Sequence, residues 1–206
     1  FVFLFMFDFD SHVARKNPAA VIEAFKLAFP WPSSIPVTLV IKSINGERHE
    51  KECNRLKNKI GGDSRILQIH EVLPHSINTA LMKCCDCYVS LHRSEGFGLT
   101  LAEAMLMGKP VITTGYSGNM DFTTSATALL VDYELVPVQP GDYPFSHGEM
   151  WAEPNVQQAC DYMLDLVEDS TFAQSLAQKG EEMIRTSFST TTMGDRYKKR
   201  LSNLLR

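Results

Sequence analysis

The stretch Cys87-Tyr88-Val89-Ser90-Leu91, followed by His92-Arg93 and then Ser94-Glu95-Gly96-Phe97-Gly98-Leu99-Thr100-Leu101-Ala102-Glu103-Ala104-Met105, decides the fold. An apolar strand runs into a glycine-bearing turn and then into an apolar-periodic helix. Gly96 and Gly98 let the backbone bend sharply and come close to a ligand. The first turn of the helix that opens at Leu99 carries N–H groups with no intrahelical partner and a positive dipole end. Together these seat a phosphate or diphosphate. Glu95 lies in the turn and Glu103 about one turn inside the helix. Carboxylates accept hydrogen bonds from hydroxyl groups. An anion cradle flanked by two hydroxyl-reading carboxylates suggests a sugar nucleotide. The plain alternative is a strand-turn-helix whose glutamates merely favour the helix N-terminus.

Outward from this unit, apolar runs alternate with helical periodicity. Strands are predicted over 1–7, 37–42, 65–70, 87–91, 111–113 and 128–131. Most are continuous rather than alternating in pattern, as strands are when helices cover both faces. The intervening helices are predicted over 19–28, 47–60, 75–84 and 99–107. Asn17 reads as N-cap of the first, Pro18 as its opening position, and Gly61-Gly62 as the stop of the second. This order implies an α/β fold: a doubly wound, mostly parallel six-stranded sheet with helices on both faces. Residues 132–154 hold four prolines and two glycines among several aromatics, without periodicity, and read as one long loop. Three helices close the chain, over 155–167, 171–186 and 191–205. The last carries Met193, Tyr197, Leu201 and Leu204 as an apolar stripe.

Composition narrows the class. At 206 residues, 44% hydrophobic and 21% charged, the chain is an ordinary globular protein, and its net charge of −4 argues against nucleic-acid binding. No apolar run approaches the ~20 residues that span a bilayer. Cys84, Cys85 and Cys87 cluster without a second pair or suitably spaced histidines, so zinc is not expected. They read as buried reduced thiols of a cytoplasmic protein. The opening on a core strand reads as a cut just before a domain's first strand.

In open α/β sheets ligands bind at the carboxyl ends of the strands. The loop after the first strand, Asp8 to Pro18, therefore shares an edge with the glutamate turn. Arg15 and Lys16 on it could neutralise a diphosphate, or be solvated charges beside a helix start. Lys42 ends the second strand as a weaker candidate. The loop His70–His75, with Val72, is placed to meet a nucleobase through backbone groups. Arg93 suits either a phosphate or a local carboxylate. Thr114-Gly115-Tyr116-Ser117-Gly118-Asn119 is either a second backbone-lined ligand surface or a plain turn. A nucleophile elbow, a dinucleotide fingerprint and a Walker lysine are all absent, which speaks against a hydrolase, a dehydrogenase and a P-loop kinase.

These residues resemble the C-terminal, donor-binding domain of a family 4 (group 1) retaining glycosyltransferase of the GT-B fold. The most specific part is Glu95 to Glu103, which is similar to the family's E-x7-E motif within SEGFGLTLAEAMLMGKPVITT. Arg15-Lys16-Asn17-Pro18, Tyr116–Asn119 and the loop 135–154 resemble a bacterial branch that decorates polysaccharides. The resemblance implies a Rossmann-like donor domain over 1–190 and a helix, 191–206, that crosses to an N-terminal domain not in this chain. That leaves the apolar stripe without a partner.

The resemblance also implies roles. Glu103 would bind ribose hydroxyls and Glu95 the transferred sugar. Lys16 and Arg15 would hold the diphosphate with the backbone of Gly98, Leu99 and Thr100, while Gly96, Phe97, Ser11, Val72 and Gly118 complete the donor site. Many members carry an arginine where this chain has Ser11, and Arg15 is the candidate substitute. The implied reaction moves a sugar with retention from a nucleoside-diphosphate sugar (GDP-mannose or a UDP-sugar) to a saccharide or lipid-linked acceptor. It would proceed without metal or cofactor, in bacterial polysaccharide synthesis, with membrane contact only through the absent half. A GT-B-like nucleotide-sugar 2-epimerase and a non-catalytic sugar-nucleotide-binding module are the alternatives.

Overall fold

A computed structural model describes residues 1–205. Six strands form one parallel sheet: β1 (Val2–Asp8), β2 (Thr38–Ile44), β3 (Ile66–His70), β4 (Cys87–Ser90), β5 (Val111–Thr114) and β6 (Leu129–Val131). Their spatial order is β3-β2-β1-β4-β5-β6, the doubly wound arrangement that the alternation implied. The chain reverses direction across the sheet between β1 and β4. Loops leaving the carboxyl ends of these neighbours are therefore brought side by side.

Side-chain alternation along β1 sends Phe3, Phe5 and Phe7 to one face and Leu4 to the other. The phenylalanines pack against α2 (Pro18–Ala28), α3 (Glu50–Ile60) and α6 (Val156–Glu168). Leu4 joins Val40 and Tyr88 in a second core with α4 (His75–Cys84), α5 (Leu99–Leu106) and α7 (Ser170–Ser187). Each fully buried phenylalanine contributes about 1.5–3 kcal/mol through removal of its apolar surface from water.

Several elements differ from the sequence expectation. The segment 132–154 is not a loop throughout. It forms an antiparallel hairpin, with β7 (Tyr133–Pro137) paired to β8 (Met150–Pro154). Pro137 and Pro154 end the two strands, where no further ladder donor is needed. The hairpin is tied down by Arg93, whose carbonyl accepts from the Ala152 N–H at 3.0 Å. Within the loop after β1 a short helix forms, α1 (Val13–Lys16). Asn17 follows it in the left-handed region (φ 53°) and precedes α2, but its side chain makes no capping bond. A 3-10 turn over Gly46–Arg48 replaces the expected start of α3. Cys85 and Cys87 are buried free thiols, whereas Cys84 is exposed.

The last helix, α8 (Thr190–Leu204), has no buried residue. Tyr197, Leu201 and Leu204 are each more than half exposed, so the described residues leave most of the stripe uncovered. Among the described residues no helix is long and apolar enough to cross a membrane.

Candidate functional site

Helix α1 carries Arg15 and Lys16 at its end, and the neighbouring strand β4 delivers Glu95 to the same place. The Lys16 ammonium donates to Glu95 Oε1, and Arg15 Nη1 lies 3.3 Å from Oε2. Arg15 also donates to the Ser94 carbonyl at 2.8 Å and, through Nε, to the Ser11 carbonyl at 3.2 Å. The backbone locks the two loops together, since the Arg93 N–H donates to the Arg15 carbonyl at 2.8 Å. All three charged side chains are mostly buried. Burial pushes the Glu95 carboxyl up, but Lys16 and Arg15 more than offset this and hold it below the usual carboxylate range.

Beside this cluster, Gly98 opens α5 in the left-handed region (φ 90°). A Cβ there would stand 3.1 Å from Leu101 Cδ1, so both conformation and space select glycine. The N–H groups of Leu99 and Thr100 lie in the first turn, where α5 supplies no carbonyl to receive them. Leu99 is exposed at that end. The Thr100 hydroxyl is engaged below, 2.9 Å from the Tyr88 hydroxyl. Gly96 is exposed, and the Phe97 ring packs on Phe122 and Phe188 with centroids 4.9 and 5.9 Å away. That leaves Phe97 its backbone for a ligand. Glu103 is partly exposed one turn into α5. Among the described residues no side-chain hydrogen bond or ion pair engages its carboxylate.

The loop after β5 supports the turn from beneath. Ser117 Oγ accepts from the Glu95 N–H at 2.8 Å, and the Gly118 N–H donates to the Glu95 carbonyl at 3.0 Å. Any Cβ on Gly118 would overlap the Gly96 carbonyl. Gly118, read from sequence as ligand surface, thus also has a packing reason to be glycine.

Behind it sits a network that sequence reasoning missed. His92 is fully buried, with Nε2 3.1 Å from Asn119 Oδ1 and 3.2 Å from the Tyr116 carbonyl, and Nδ1 3.1 Å from Ser90 Oγ. Both Nε2 partners are acceptors, because Asn119 Nδ2 donates to the Thr114 carbonyl at 3.0 Å. The neutral tautomer with its proton on Nε2, accepting from the Ser90 hydroxyl, therefore satisfies every group. Burial lowers the His92 pKa, although its acceptors and Glu95 oppose that. The only sequence signal was a histidine directly after an apolar strand.

Other candidates go elsewhere. Arg93, open between phosphate and carboxylate, forms a bidentate pair with Glu153 at 2.6 and 3.0 Å and lies 5.2 Å over the Trp151 ring. Lys42 is buried within β2. Desolvation lowers its pKa, partly opposed by Asp8. On the loop that carries Arg15 and Lys16, the His12 ring packs on Tyr143, centroids 4.7 Å apart. Val72 is exposed in the loop after β3, the edge strand of the sheet. Chemically, the arrangement offers two cations, free helix N–H donors and one unpaired carboxylate around a single helix start: a seat for a diphosphate with hydroxyl-bearing groups on either side.

The family model described as "Glycosyl transferases group 1" matches residues 9–183. Comparison with curated proteins gives no match. Among solved structures, the chain is similar to Alr3699/HepE from Anabaena in complex with UDP and glucose. The TM-score is 0.71 at 20% identity, covering 98% of this chain and 48% of that one. It is similar to the C-terminal domain of the group 1 family protein LpcC from Francisella tularensis (TM-score 0.68, 21% identity, covering 92% and 87%). It is also similar to a glycosyltransferase from Rickettsia africae (TM-score 0.73, 18% identity, covering 100% and 48%). At these identities the likeness shows the fold. The chain spans about half the length of the Anabaena protein.

Proposed function

The chain belongs to the group 1 glycosyltransferases, and from that premise we propose that it is the donor-binding half of a retaining enzyme. In this reading a nucleoside diphosphate sits at the start of α5. Lys16, Arg15 and the Leu99 and Thr100 N–H groups meet the diphosphate, and Glu103 takes the ribose hydroxyls. Glu95 exchanges its cations for the incoming phosphates and turns to the hydroxyls of the transferred sugar. The convergence of Arg15, Lys16 and Glu95 from separate loops at one helix start carries the proposal.

The chemistry follows from charge. As the bond from the anomeric carbon to the diphosphate oxygen breaks, the electron pair leaves with the nucleoside diphosphate. Cations and helix N–H groups fixed where that charge develops lower the barrier. These groups supply the neutralisation without calling for a metal. The acceptor oxygen takes the anomeric carbon on the face the leaving group held, its proton passes to the departing diphosphate oxygen, and no residue of this chain is assigned as a nucleophile. A longer structural neighbour, in complex with UDP and glucose, supports a UDP-sugar donor. GDP-mannose as the other candidate rests on the sequence resemblance alone, as does a further domain that completes the acceptor site. A saccharide or lipid-linked acceptor in bacterial polysaccharide synthesis, in the cytoplasm, is the matching pathway class.

The test is calorimetry of this chain against UDP, GDP and ADP, with the free nucleosides as controls. At least one diphosphate should bind, and its nucleoside should bind at least tenfold more weakly. Equal binding of nucleoside and diphosphate would contradict the cation assignment, and no binding at all would contradict the site.

A further inference from the structure

A recess of about 550 Å³ opens beside α1, within the size range of small-ligand sites. Its walls take in Val13 and Ala14 of α1 but neither Arg15 nor Lys16, so it is a different space from the Glu95 cluster. Asn17 lines it, 3% exposed, and its Nδ2 is a buried donor with no hydrogen-bond partner. A buried amide without a partner is uncommon and calls for an explanation. The first residues of α2, Pro18 and Ala19, stand in the same wall, so the positive end of an eleven-residue helix faces the same region. Arg55 from α3 joins them and forms no ion pair among the described residues.

Opposite in character are Glu52 and Asp142, which also line the recess and are not ion-paired among the described residues. Asp142 belongs to the turn between β7 and β8, so the hairpin closes one side. That hairpin is fastened to the donor site's own loop. Arg93 holds Glu153, and through Nη1 it donates to the Ala14 carbonyl at 2.6 Å. The recess thus offers donors for an anion at Asn17, the start of α2 and Arg55, and acceptors for hydroxyl groups at Asp142 and at Glu52, one turn from Arg55 on α3.

We propose that this recess is an acceptor subsite for a saccharide that carries an anionic group, a uronate or a sugar phosphate. The anion meets the start of α2 and Arg55 and draws the enclosed, unpartnered Asn17 amide round to it, and the hydroxyls meet Glu52 and Asp142. Its role as acceptor subsite rests on the transferase reading of the adjoining site, with which it shares helix α1: Val13 and Ala14 line the recess, and Arg15 and Lys16 reach Glu95. Anionic sugar and nucleotide can then be bound together.

The test is titration of the isotope-labelled chain, followed by NMR, with glucuronic acid, glucose 6-phosphate, glucose and inorganic phosphate. At least one anionic sugar should shift the Asn17 side-chain amide and the Ala19 N–H. It should bind at least fivefold more tightly than both glucose and inorganic phosphate. Which one binds distinguishes uronate from sugar phosphate. Asn17→Gly keeps the left-handed backbone and removes only the amide, and Arg55→Ala removes the cation. Each should weaken anionic-sugar binding at least fivefold and leave UDP affinity within twofold. Equal binding of glucose or of phosphate alone, unchanged binding by both variants, or no binding of either anionic sugar would overturn the proposal. Anionic-sugar binding at Asn17 in a chain that binds no nucleoside diphosphate would instead overturn the transferase reading and, with it, the name acceptor.

Discussion

Gly118 rests on Gly96 backbone to backbone: its N–H reaches the Glu95 carbonyl at 3.0 Å, and a Cβ would overlap the Gly96 carbonyl. The glutamate turn is therefore held from below by a loop that tolerates no side chain at position 118. Gly118→Ala should force the loops apart and cost about 1–3 kcal/mol, as overpacking does. Urea unfolding measures this, and a loss below 0.5 kcal/mol (roughly the scatter of a neutral surface change) would contradict the close approach. Gly96→Ala, whose Cβ meets nothing within 4 Å, is the matched control and should be mild.

Glu95 and its two cations form a mostly buried triad. Removing one member leaves unpaired charge, so Glu95→Gln should destabilise the chain by on the order of 3 kcal/mol. A diphosphate would replace the lost anion. Saturating UDP should therefore raise the melting temperature of Glu95→Gln by more than that of the unaltered chain, whereas Lys16→Ala should respond least. Equal shifts in all three proteins would show that the cations do not meet the phosphates.

Acid should loosen the structure in two stages. Burial holds His92 below its ordinary value, so below about pH 6.5 the unfolded chain takes up a proton that the folded one resists. Stability is fully present above that pH and falls below it. His70, also lowered by burial, adds to the slope. Glu95 has a folded value below the unfolded one, about 4.3, so its contribution is lost at still lower pH as its carboxyl takes a proton in the folded state. Unfolding free energies at pH 7.5, 6 and 5 should decline, and His92→Gln should show a shallower decline. An unchanged slope in that variant would contradict the neutral buried imidazole.

The six strands were legible because buried parallel strands are continuous apolar runs, as in Phe3-Leu4-Phe5 and Tyr88-Val89. That the Arg15-Lys16 loop shares an edge with the glutamate turn was legible because β1 and β4 both deliver their loops there; that the two cations pair with Glu95 itself was not. The hairpin of β7 and β8 was not. Its placement depends on Arg93, from a distant part of the chain, against Trp151 and Glu153 of β8, while its other residues include prolines and glycines that read as punctuation. The His92–Asn119 network was hidden for the same reason: a buried polar residue reveals its partners only once the fold brings them together.

Arg93 is the clasp of that hairpin. Arg93→Ala removes the bidentate pair with Glu153, the bond to the Ala14 carbonyl and the contact over Trp151. The segment 138–149 should then be cut by protease at least several-fold faster in limited digestion, while the sheet core stays intact. Identical cleavage rates would show that the hairpin is held by something else.

The central claim is that Glu103 reads the ribose of a nucleotide seated at the start of α5. Calorimetry of the nucleoside diphosphate that binds, against the unaltered chain and Glu103→Ala, tests it most directly. Loss of a hydrogen bond to a charged acceptor predicts a weakening of about 1.5–3 kcal/mol, roughly ten- to hundredfold in affinity. The corresponding 2′,3′-dideoxyribonucleoside diphosphate should bind weakly to the unaltered chain and lose little more in the variant. Unchanged affinity of Glu103→Ala for the ribonucleotide would contradict the assignment.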